Sequence, residues 1–137
     1  MATDYYLDNI DLKNGAKPLT AVCVPSNFKA GSKANIILFL HGTGQTSIRD
    51  YFQQPDHDLR PILDSPTPLK QVILIAPTLS TGAQGGNLGG DEADTIPANA
   101  LQWYLPLVSK ELQSKNPKPP IPEFDDPGKV DKIVLAA

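Results

Sequence analysis

The residues best suited to chemistry lie in one short stretch, Leu40-His41-Gly42-Thr43-Gly44-Gln45-Thr46-Ser47. It follows the apolar run Ile36-Ile37-Leu38-Phe39-Leu40 and leads into Ser47-Ile48-Arg49-Asp50, which has the form of a helix-starting capping box. A glycine-rich turn between a buried strand and a helix exposes backbone amides at the C-terminal edge of a sheet, where they stabilise negative charge. Gly42 and Gly44 would let the backbone turn tightly and approach a ligand. Two readings of these residues stay open, a ligand-binding loop and an ordinary strand-to-helix turn. A rival use of 42–47 is phosphate or nucleotide binding, within a non-catalytic α/β binding module. The stretch lacks the Lys of a Walker loop and the third Gly of a dinucleotide fingerprint. Its first cation is Arg49, inside the expected helix, whereas a triphosphate normally needs a cation beside the amides.

The other candidates are weaker. His57, between Asp56 and Asp58, suits a solvated loop, and one His with two adjacent acids is poor metal-ligand spacing. Ser47 fits a helix cap better than a nucleophile, and no Ser stands in a Gly-x-Ser-x-Gly context. A second glycine-rich stretch, 81–94, follows another apolar run. It reads as a loop whose acids favour the positive end of the next helix, or as the lining of a substrate pocket. Asp91, Glu92 and Asp94 do not have the spacing of a calcium loop. Cys23, with no His, Lys or Arg beside it, reads as a small core residue. As the single Cys it excludes an internal disulfide and a Cys-based zinc cluster. Neither a cofactor nor a metal is expected.

These residues need a scaffold, and the chain has the composition for one. Its 137 residues suit a single domain, with 40% hydrophobic and 20% charged residues. The net charge of −3 and the absence of a Lys/Arg cluster argue against nucleic acid as a partner. No apolar run nears the ~18 residues of a membrane span. The N-terminus lacks a basic patch followed by an apolar stretch, so a cytoplasmic location is expected. Residues 4–25 suggest a β-hairpin turning at Asn14-Gly15, its second strand alternating Leu19, Ala21, Cys23 with Thr20, Val22, Val24. Three unbroken apolar runs, 36–40, 72–76 and 133–137, suit parallel strands buried on both faces.

Between the runs there is room for crossover helices. Ala98, Leu101, Leu105, Val108 and Leu112 mark one face of a helix over roughly 96–115. Pro97 suits its first turn, Lys110 and Lys115 its last, and Asn116-Pro117 its end, while Pro106 should kink or split it. Five prolines in 116–128 predict a stiff, extended surface connection. The order is hairpin, strand, helix, strand, helix, strand: an α/β fold with a mostly parallel sheet, an antiparallel N-terminal hairpin and helices on both faces. The last apolar run stops at Ala137, which reads as a fragment of a larger domain whose open 130–137 edge invites self-association.

Together, His41-Gly42-Thr43-Gly44 after an apolar strand, Val72-Ile73-Leu74-Ile75-Ala76-Pro77, and Asp131-Lys132-Ile133-Val134-Leu135-Ala136-Ala137 resemble the N-terminal half of the α/β-hydrolase fold of serine esterases and lipases. The resemblance covers nearly the whole chain and implies an incomplete α/β-hydrolase domain over 1–137. It implies that the strand ending near Gly42 lies between the other two parallel strands, and that the last strand feeds the nucleophile elbow. By the same resemblance, the amide of Thr43 or Gly44 supplies an oxyanion-hole donor, Gly42 shapes that loop and His41 is structural. Thr78, Leu79 and Asn87 would line the pocket. The nucleophile, its His and its acid would follow the elbow and are absent from the 137 residues. The complete parent is then expected to cleave a small-molecule ester or similar acyl bond, and this chain alone to be inactive.

Overall fold

In a computed structural model of the chain, the structure describes residues 3–10, 19–26, 28, 33–39, 53, 56, 61, 63, 71–77, 100–119, 121, 123–125 and 127–136. Among them, strands β1 (Thr3–Leu7), β2 (Thr20–Val24), β3 (Ala34–Phe39), β4 (Val72–Pro77) and β5 (Val130–Ala136) form one sheet in the order β1-β2-β4-β3-β5. β1 with β2 and β2 with β4 are antiparallel, whereas β3 runs parallel to both β4 and β5. The sheet is therefore evenly mixed rather than mostly parallel. The N-terminal strands bring this about, because β2 inserts its own antiparallel ladder against β4 instead of remaining a separate hairpin. The strands of the hairpin are Thr3–Leu7 and Thr20–Val24, and its expected turn at Asn14-Gly15 lies outside the described residues.

One helix, α1 (Ala100–Gln113), packs on one face. Tyr104, Leu105, Val108 and Leu112 form its buried stripe, the spacing of a single helical face. They meet Val22, Val24, Ile36, Leu38, Ile73 and Ile75, the alternate residues of three strands that share that side of the pleat. Each fully buried aliphatic side chain there contributes about 1.5–3 kcal/mol. The helix ends two residues before the end that the periodicity predicts, and it continues through Pro106. Pro106 removes one backbone donor from the ladder, and packing of the stripe offsets that loss. Lys110 lies in the last turn, where a cation favours the helix dipole. Beyond Gln113 the chain tightens, with Ser114 N–H donating to the carbonyls of Lys110 and Glu111, and Lys115 N–H to that of Leu112. The Ser114 hydroxyl also donates to the Glu111 carbonyl at 2.7 Å, so the helix ends before Asn116-Pro117, whose peptide bond is cis.

The proline-rich connection differs from expectation. Pro119, Ile121 and Phe124 are buried, and Ile121 and Phe124 belong to the same core as α1. Phe124 N–H donates to the buried Ser109 Oγ at 3.1 Å, and Ile121 N–H turns back to the Pro119 carbonyl at 2.9 Å. The segment is thus a strap across the core. Prolines set its direction, but its apolar residues determine where it lies.

On the other face, Ala21, Cys23, Leu74 and Ala76 form a smaller cluster, flanked by partly buried Tyr6, Leu19, Ile37, Phe39 and Leu63. Gln53, Pro61 and Leu63, between β3 and β4, are helical. All of β2 is buried rather than alternating, because it lies inside the sheet with both faces covered. β4 is buried throughout, as predicted. β3 instead alternates, with Ala34, Ile36 and Leu38 buried and Asn35, Ile37 and Phe39 partly exposed. β5 departs furthest: Asp131 and Lys132 are exposed, and Val134 is 54% exposed. The register slips by one residue between Ala34 and Asn35, which pair with Val130 and Lys132. That slip turns both Val130 and Ile133 toward the α1 face, where they pack on the main core.

Candidate functional site

The candidate site is one edge of the sheet. Register brings Leu7 opposite Thr20, Thr20 opposite Pro77, and Phe39 opposite Ala136. The C-terminal ends of β3, β4 and β5 therefore lie along the same edge as the start of β2. The chain leaves β3 toward β4 on one side and returns to β5 on the other. That reversal is a topological switch point, the part of an open α/β sheet where ligands bind.

A buried polar contact underlies this edge. Thr20 Oγ1 and the Tyr104 hydroxyl are 2.9 Å apart, joining β2 to α1 beneath the Thr20–Pro77 pair. Both residues are essentially without solvent contact. Burial pushes the Tyr104 phenol well above its ordinary value, and the bond to Thr20 acts in the opposite direction. The phenol stays neutral at physiological pH and serves as a hydrogen-bonding strut. Sequence reasoning missed it, because Tyr104 falls beside the aliphatic positions used to trace the helix face. Its spacing of four from Val108 was the available signal.

The two ends of the parallel strands differ in charge. Exposed Lys33, Lys129, Asp131 and Lys132 sit at or just before the N-terminal ends of β3 and β5. Among the described residues, the opposite edge is Leu7, Thr20, Phe39, Pro77 and Ala136, with exposed Asp8 just beyond β1. Lys129 Nζ lies 2.6 Å from Asp125 Oδ1 and 3.9 Å from Glu123 Oε2, and its hydrogen bond holds the Asp125 carboxyl below the usual carboxylate range. These exposed charges are far along the strands from the switch point.

No family model, no curated protein and no solved structure matches this chain. The predicted oxyanion-loop residues Gly42, Thr43 and Gly44 lie outside the described residues, as do the predicted pocket residues Thr78, Leu79 and Asn87. The same holds for His41, Ser47, His57, Asp91, Glu92 and Asp94. In sequence, Gly42 follows Phe39 by three residues and Thr78 follows Pro77 directly. Cys23 is buried beside Ala21 and Leu74, in keeping with a core role. Among the described residues, no three His, Cys, Asp or Glu side chains gather to hold a metal ion. No described helix is long and apolar enough to cross a membrane.

Proposed function

We propose that the chain is the N-terminal part of an α/β-hydrolase-fold serine hydrolase, and that its 42–44 loop stabilises the oxyanion of an acyl-transfer reaction. The observation that carries this reading is the strand order. β3 lies between β4 and β5 and runs parallel to both, which agrees with the arrangement implied by the sequence resemblance. In sequence, His41-Gly42-Thr43-Gly44 begins two residues after Phe39, the last residue of β3. Helical Leu63, packed opposite α1, supports helices on both faces.

In mechanism, a serine from outside these residues attacks an ester or similar acyl carbon, helped by a His base and a carboxylate that orients it. The negative charge that develops on the acyl oxygen is met by the amide of Thr43 or Gly44, together with an amide next to the nucleophile. An oxyanion carries a single charge and forms transiently, so two or three aimed amides suffice without a cation. The neutrality of Gln45, Thr46 and Ser47 suits that task better than holding a phosphate chain.

The test is active-site labelling of the full gene product with a fluorophosphonate probe, followed by peptide mapping. The expected result is a single labelled serine, C-terminal to β5 and flanked by glycines. Substituting Gly44→Val should then lower kcat strongly with little change in KM. An unlabelled, ester-inactive product would overturn the proposal. If that product instead bound ATP or NAD tightly, and G44V abolished the binding, nucleotide recognition by 42–47 would replace it.

A further inference from the structure

We draw no further inference here: the strongest candidate, the half-open sheet face where exposed Val134 of β5 lies beside partly buried Ile37 of β3, carries none because nothing in the structure shows what covers it.

Discussion

β4 and β5 are close to the same word written twice. Their apolar runs, Val72-Ile73-Leu74-Ile75-Ala76 and Ile133-Val134-Leu135-Ala136-Ala137, have the same length and differ in composition by one Ile exchanged for Ala. In the sheet their fates diverge. β4 has β2 on one side and β3 on the other, and every residue from Val72 to Pro77 is buried. β5 has β3 alone among the described strands, and Val134 is 54% exposed. An apolar run therefore identifies a strand of a layered α/β sheet, but it does not distinguish the middle of the sheet from its end. Neighbours create burial, and the neighbours are remote in sequence.

The sharpest way to break this comparison is to truncate one residue in each strand. Ile73→Ala should destabilise the chain by about 2–5 kcal/mol, because it leaves a cavity between the sheet and α1. Urea denaturation followed by circular dichroism measures this, and a change below about 1 kcal/mol would mean that the β4 core is loosely packed. Next in size is the strut between β2 and α1. Tyr104→Phe leaves the buried Thr20 hydroxyl without this partner and should cost about 1–3 kcal/mol. Adding Thr20→Val should recover part of that loss, so a double-mutant cycle should give a clear coupling energy.

The same strut predicts a pH response. The phenol has a higher pKa folded than unfolded, so its contribution is fully present below about pH 10 and is lost as pH rises above that. Alkaline unfolding should therefore be delayed in Y104F relative to its own neutral-pH stability. An identical pH profile for the two proteins would contradict the assignment. At the β5 end, Val134→Ala should change stability by less than about 0.5 kcal/mol, the behaviour of a surface site. A cost matching that of Ile73→Ala would show that β5 is covered in solution. The smallest effect is local. Lys129→Met should return the Asp125 carboxyl toward its ordinary value, observable by NMR titration, with fold stability little changed.

Much of the scaffold was legible in the sequence, because strands and helices write their periods locally. The three apolar runs mark β3, β4 and β5, and Leu105, Val108 and Leu112 mark the buried side of α1. What could not be read came from partners far along the chain. Proline content in 116–128 predicted a surface connection, yet Ile121 and Phe124 had a core to fill and drew the segment inward. β2 is buried from end to end, its polar residue Thr20 included, since Thr20 is satisfied by a tyrosine 84 residues away. The continuous hydrophobicity of 133–137 hid the position of β5 at the end of the described sheet. For the candidate site, the sequence indicated β3 as the strand that leads toward 42–44, and those three residues lie outside the described ones. The side chains that would complete the chemistry are not among those the described fold brings together.

The pairing of β3 with β5 also bears on how the chain reaches its fold. Ile36 is matched with Ile133, roughly a hundred residues later, whereas β1 and β2 are neighbours in both sequence and space. During synthesis β3 emerges early and gains β4 within a few tens of residues, but its other flank waits for β5. Over that interval the backbone amides and carbonyls of Ala34–Phe39 on that flank lack the ladder that will satisfy them. Contacts of such long sequence separation slow the folding of a domain. Of the four ladders in the described sheet, the one between β3 and β5 therefore closes the longest loop and carries the largest closure entropy.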